Sequence, residues 1–386
     1  MDKKREISFN LNNFLLAVSF SLDYLRKDKY SNSLNYSKRI AYIALNIAKE
    51  LELTPEEMSD LCSFSLVHSI GLLNISPVSK EYCESSNKIT IKLPFLDGNK
   101  DDILKYQNEY YDGSGFFGLK AQEIPLFSQI LSIAIAIENR FNLSTIKVQD
   151  RNNVLNFIEN SKNELFSEEL AEIFLKISQK TSFWLDLQNE NEILFFIFTN
   201  LHDFTTILTY EELFKITSSF YLIDNIDSKL LINLEKMLDF YNFEYKDKFT
   251  LLIAASLCNI GKLCVPSSII KKKAKLEVLE YEEIKSYPYY TKKVLSNIMG
   301  FSEIASWASK VQEKPNGKGY PFGLKGKDLS LKDRLLEVIV SFSALTSNKT
   351  YRNAYNKVEA IEILKNSAKK DDSYDLSIIE DLKKVL

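Results

Sequence analysis

EKPNGKGYPFGLKGKDLSLKDRLLEVIVSFSALTSNKTYR, residues 313–352, is the stretch from which the rest of the chain can be read. It opens on a glycine-rich turn, Asn316-Gly317-Lys318-Gly319-Tyr320-Pro321. An apolar helix is expected from Leu331 to Leu345, and the stretch closes on Lys349-Thr350-Tyr351-Arg352. Gly317 and Gly319 can take positive φ, and Pro321 fixes the direction in which the chain leaves. Such a loop either brings backbone close to a ligand or joins two helices, and its neighbours in the sequence decide between these.

Working outward, the totals set bounds. A chain of 386 residues has room for two domains. With 45% hydrophobic and 26% charged residues it is composed like an ordinary globular protein able to bury sizeable cores. A formal net charge of −3 gives no general basic field, so nucleic acid and anionic membrane are not expected partners, and an anion site must be a local patch. Eight prolines and eleven glycines are few for this length, which favours long helices with short connections. Cys62, Cys83, Cys258 and Cys264 show no CxxC spacing, so neither a disulfide framework nor a thiolate zinc site is expected. The sequence shows no secretory h-region and no long uncharged apolar run, and a cytoplasmic location is expected.

Apolar residues recur with a period near 3.6 almost throughout, which predicts an all-α fold. Helices are expected over 9–27 and about 33–51. Another begins at Thr54-Pro55-Glu56-Glu57, where a capping threonine precedes a first-turn proline and acids at the positive helix end; it runs to Val67. Ser85-Ser86-Asn87 and Asp97-Gly98-Asn99 look like turns, and Thr90–Leu93 like a short extended piece. Ile124 to Phe141 is strongly apolar. Later helices are expected around 211–223, 227–241, 246–259, 279–298 and 301–311.

The two halves resemble each other. Leu66-Val67-His68-Ser69-Ile70-Gly71-Leu72-Leu73 parallels Ser256-Leu257-Cys258-Asn259-Ile260-Gly261-Lys262-Leu263. Glu109-Tyr110-Tyr111-Asp112-Gly113-Ser114-Gly115-Phe116 parallels Glu313 to Tyr320, and both continue Phe-Gly-Leu-Lys. The middle of the first copy is shorter. This is an internal duplication. The expected domains are 1–148 and 211–386, with 149–210 as a helical connection.

Cys258-Asn259-Ile260-Gly261-Lys262, Val265-Pro266, Tyr287-Pro288, Gln312-Glu313 and Gly319-Tyr320-Pro321 follow one another in the order and spacing of the HD-GYP family, and residues 211–356 resemble it. That resemblance implies tandem HD-domain-like helical bundles, the second HD-GYP-like, and cyclic di-GMP as ligand. It also implies two or more divalent metals, iron or manganese, held by histidines and carboxylates. At the family's ligand positions this chain carries Cys258, Asn259, Tyr287, Val311, Gln312, Glu313 and Val340. An amino-terminal histidine falls near Asp227. The first copy has His68, Ser69, Gln107, Asn108 and Ile135. Amides, aromatics and aliphatic side chains are poor donors for such ions. His68 is therefore expected to be a packed histidine rather than a ligand, and His202 a surface residue.

The expectation from these residues is a non-catalytic, degenerate HD-GYP-like signalling protein: a cyclic-dinucleotide sensor or scaffold, without a resident cofactor, docking a protein partner or a second copy of itself. Lys262, Lys318, Tyr320, Arg334 and Arg352 are the candidate ligand contacts, and Lys262 and Arg334 carry over from positions that lie near the phosphodiester in the family. Lys325 and Lys349 fall in the same segments. Two alternatives stay open. One is an active cyclic di-GMP phosphodiesterase with atypical ligands around Glu313, Asp227 and Asn259. The other is a helical interaction module with no nucleotide role.

Overall fold

The computed structural model describes residues 5–75, 78–98, 102–221, 229–348 and 352–386. Asp227 and Lys349 lie outside these residues. The described chain is helical apart from two short strands, β1 (Glu6–Asn10) and β2 (Thr205–Thr209), which pair with each other. It divides into two compact units: an N-terminal unit, Asn10–Thr205, and a C-terminal unit, Thr206–Leu386 together with Met1–Phe9.

In the N-terminal unit the helix Leu11–Tyr30 begins at Asn10, whose side chain accepts the Asn13 N–H. The helices Tyr36–Glu50 and Pro55–Val67 follow, the latter started by a Thr54/Glu57 capping box as its sequence requires. Phe14, Leu15, Ile40, Ile43, Leu61 and Phe64 are buried at their contact. Lys80–Thr90 and Leu126–Phe141 complete the first bundle, and helices between Val148 and Asn200 belong to the same unit. Ser85–Asn87 is not a turn and Thr90 does not start an extended piece: both lie in the helix Lys80–Thr90, which Ser79 caps at its start. His202 is exposed, just beyond the helix Glu190–Asn200.

The C-terminal unit repeats the plan with Tyr245–Leu257, Tyr287–Leu295 and Leu331–Leu345, flanked by Leu230–Phe240, Ser302–Ala308, Lys357–Asp371 and Leu376–Val385. Leu234, Leu251, Phe301, Leu335, Ile339, Phe342 and Leu382 are buried in it. Burial of large apolar side chains such as these contributes roughly 1.5–3 kcal/mol each. Its sheet takes in the start of the chain: the Thr206 hydroxyl donates to the Phe9 carbonyl, and the Tyr210 N–H to Arg5, so β1 and β2 run antiparallel.

Candidate active site

The Gly-containing motif of each copy sits where one helix ends and a short 3-10 turn begins, at 260–264 and at 70–73. The glycine is there because nothing larger fits. A Cβ on Gly261 would lie 2.0 Å from the Tyr287 carbonyl oxygen, and one on Gly71 2.5 Å from that of Tyr82. The freed N–H is then bonded across the contact, Gly261 to Thr291 Oγ1 and Gly71 to Ser86 Oγ, both at 3.1 Å. The two units thus build the same joint, and Tyr287 corresponds to Tyr82. Eleven residues separate Gly71 from Tyr82 and twenty-six separate Gly261 from Tyr287, so the C-terminal copy carries an extra segment here.

Glu313 organises the glycine-rich loop. It is fully buried, and its two carboxylate oxygens accept the N–H groups of Phe322 at 2.7 Å and Leu324 at 2.8 Å. Glu109 does the same for Phe117 and Leu119 at 2.8 and 2.9 Å. Gly319 allows the loop to fold onto Glu313, whose Cα would be 2.4 Å from an added Cβ. Gly317 and Gly323 hold positive φ at 77° and 64°. The Tyr320–Pro321 peptide is cis.

The candidate ligand contacts are distributed around this loop. The Tyr320 hydroxyl donates to Gln312 Oε1 at 3.2 Å. Burial, helped by the neighbouring Tyr281 and Tyr374 phenols, keeps the Tyr320 hydroxyl protonated well above its ordinary range. Lys262 is half-buried with its ammonium 5.1 Å from the Tyr287 ring centre. Lys318 is exposed, 3.7 Å from Asp371. Arg334 instead holds Asp375 at 2.9 Å and the Leu329 carbonyl at 2.6 Å. Arg352 donates to the carbonyls of Ala344 and Leu345, closing the end of the helix Leu331–Leu345. The turn 371–375 therefore engages Asn316, Lys318 and Arg334 together.

One buried carboxylate outside the candidate set stands out. Glu337 is one turn before Val340 on a buried helix face, and its carboxylate takes Lys314 and, at 3.2 Å, the Ser341 hydroxyl. The Lys314 ammonium also lies 3.7 Å from the Tyr374 ring centre. Burial pushes the Glu337 carboxyl up to about 7, with Lys314 pulling it back. A lone carboxylate within Leu335-Leu336-Glu337-Val338-Ile339 was the signal for it.

In the N-terminal unit His68 is enclosed. Its ring nitrogens meet the Ser65 carbonyl at 2.7 Å and the Ser69 hydroxyl at 2.9 Å. Burial, aided by Arg26, lowers its pKa to about 3 and keeps it neutral. Arg26 bridges Ser69 and Asn139, and lies over the Tyr36 ring.

These donors do not fit a divalent ion. Both Glu313 oxygens are taken by backbone N–H groups, and the Tyr287 ring faces an ammonium. Among the described residues no group of three or more histidine, cysteine, aspartate and glutamate side chains converges. Cys258 is buried, Val340 offers no donor, and Asn259 has only an amide.

Comparison with known proteins gives the wider context. The family model described as "HD domain" matches residues 22–142 and 222–378. The 3'3'-cGAMP-specific phosphodiesterase 1 of Vibrio cholerae is 23% identical over 93% of this chain and 88% of its own. The cyclic di-GMP phosphodiesterase PdeB of Borreliella burgdorferi is 28% identical over 45% of each chain. The crystal structure of a V. cholerae cyclic GMP-AMP specific phosphodiesterase, V-cGAP3, superposes with a TM-score of 0.69 at 19% identity, covering 98% of this chain and 99% of that one, which establishes a shared fold. These matches overturn the expectation of a non-catalytic sensor or scaffold, and with it the pseudoenzyme reading. The relatives aligned along nearly the whole chain or half of it bear the names of phosphodiesterases, which point to an enzyme. The expectation that no cofactor is involved falls with it, because HD-domain phosphodiesterases are generally metal-dependent.

Proposed function

We propose that this chain, which belongs to the HD-domain family, is a phosphodiesterase that opens a cyclic dinucleotide, with 3'3'-cGAMP and cyclic di-GMP as the substrates to test first. The observation that carries this reading is the alignment with the 3'3'-cGAMP-specific enzyme over 93% of the chain, both copies included. In the reaction, water adds to one phosphodiester phosphorus and a sugar oxygen leaves with a proton, giving a linear dinucleotide with a terminal phosphate.

The C-terminal unit is the favoured seat. There Lys262, half-buried beside the Tyr287 ring, and the loop residues Lys318 and Tyr320 are the contacts we assign to a phosphodiester, whereas the N-terminal copy has Leu72 in place of Lys262. Of the other candidates, Arg334 and Arg352 would have to leave Asp375 and two helix carbonyls before meeting a substrate, so we assign them to the scaffold. The described side chains supply no donor set for a divalent metal, and no step is assigned to one. The nucleotide pool and the reaction are placed in the cytoplasm.

The test is incubation of purified protein with each cyclic dinucleotide in the presence of manganese, ferrous iron or chelator, with products separated by chromatography. A linear dinucleotide is expected. No product under any of these conditions refutes the assignment.

A further inference from the structure

The segment that the C-terminal copy has and the N-terminal copy lacks, between Gly261 and Tyr287, walls a cavity of about 750 Å³. The short helix Ser267–Ile270 gives it Ile269 and Ile270, the helix Val278–Ile284 gives Val278, Tyr281 and Ile284, and the connecting Lys271-Lys272-Lys273-Ala274-Lys275 gives three lysines. The volume lies within the range of small-molecule sites, roughly 300–1,000 Å³. Its walls combine apolar side chains, one aromatic ring, three ammonium groups and the Glu277 carboxylate. That is the chemistry of a purine nucleotide: a flat base for the ring and the aliphatic wall, an anion for the lysines.

The lysines are not equivalent. Lys272 is held by Glu280 at 2.5 Å, with Glu277 at 3.7 Å. Lys273 and Lys275 are exposed, and among the described residues no carboxylate pairs with either. Tyr281 is 48% exposed and lines the cavity, with Lys285 5.0 Å from its ring centre. Tyr281 is also the neighbour that acts on the Tyr320 phenol of the glycine-rich loop. The cavity lies in the C-terminal unit, on the segment that joins the Gly261 turn to the helix Tyr287–Leu295.

We propose that this cavity is a nucleotide subsite for the cyclic dinucleotide, with Tyr281 stacking on one purine and Lys273 and Lys275 contacting its phosphate. The proposal rests on the phosphodiesterase reading and adds the residues that select a dinucleotide. The added segment thereby explains why the copies differ in length where they do.

The experiment is calorimetric titration of the full-length chain with 3'3'-cGAMP and with cyclic di-GMP. K273Q/K275Q is expected to raise Kd tenfold or more and to flatten its dependence on salt. Y281L is expected to raise Kd fivefold or more, while Y281F, which keeps the ring, stays within twofold of the parent. These side chains are on the surface, and thermal melts will register any variant that misfolds. An unchanged Kd in K273Q/K275Q, or a parent protein that binds neither dinucleotide, overturns the subsite. Binding that weakens in these variants without hydrolysis by the parent leaves the subsite standing and overturns the phosphodiesterase reading alone.

Discussion

Replacing Glu313 by glutamine tests whether its carboxylate is the clamp of the glycine-rich loop. The carboxylate accepts two N–H groups, from Phe322 and Leu324, one on each oxygen. A glutamine can accept only one, and its NH₂ then faces the other donor. The loss is one charged hydrogen bond, about 1.5–3 kcal/mol, and part of the cost of stranding an N–H, about 1–3 kcal/mol, some of which water relieves near the surface. Together these give about 2–4 kcal/mol. The chain has a built-in way of reading this by unit, because Trp184 lies in the N-terminal unit and Trp307 in the C-terminal one. Urea unfolding in a Trp184→Phe background follows the C-terminal unit by Trp307 fluorescence, and the reciprocal Trp307→Phe background follows the other. Glu313→Gln should lower the Trp307 transition and leave the Trp184 transition nearly in place; Glu109→Gln should do the reverse. A Trp307 transition displaced by less than about 0.5 kcal/mol, within the spread of neutral surface changes, would refute the clamp.

Gly261→Ala should destabilise the C-terminal unit by about 3 kcal/mol or more, because the new methyl must displace the Tyr287 backbone; a loss under 1 kcal/mol by denaturant titration contradicts the close approach. His68 stays neutral when folded down to about pH 3, whereas the unfolded chain takes up a proton near 6.5. The stability it contributes is thus complete above pH 6.5 and is lost as pH falls toward 3, about 2 kcal/mol between pH 7 and 5. His68→Gln should remove that loss from the Trp184 transition, and an identical loss in the variant contradicts it. For Glu337 the sign is opposite: the folded chain keeps until about pH 7 a proton that the unfolded chain gives up near 4.5. Stability therefore falls as pH rises through that window, and Glu337→Gln should flatten the slope of the Trp307 transition; an unchanged slope places the titration elsewhere.

Much of the architecture was legible because it rests on local rules. Helical periodicity, the Thr54-Pro55 helix start and the paired glycine motifs each depend on residues a few positions apart, and the doubled motifs revealed the duplication. What was missed depends on distant partners. β1 had no expectation of its own, and its last two residues, Phe9 and Asn10, fell in the helix expected over 9–27, since its mate lies some two hundred residues later. Ser85–Asn87 looked like a turn by composition, but Ser86 is wanted inside a helix, where its hydroxyl meets the Gly71 N–H. Glu313 was legible as a retained carboxylate, whereas its partners are N–H groups that return to it only once the loop has folded. The cavity went unnoticed because its signal, a longer middle in one copy, was seen as a gap in a repeat rather than as added structure.

The strand pair has a consequence for how the molecule can be taken apart. Asn10 donates to Asp203 at 2.9 Å, so the N-terminal unit leaves and rejoins its neighbour at adjoining points of one antiparallel ribbon. In topology it is a guest spliced into a hairpin. A fragment cut at residue 206 would expose a bare sheet edge, an invitation to aggregate. Deleting the guest and bridging Asn10 to Thr205 with a tight Asn-Gly bend should instead leave the host a closed ribbon.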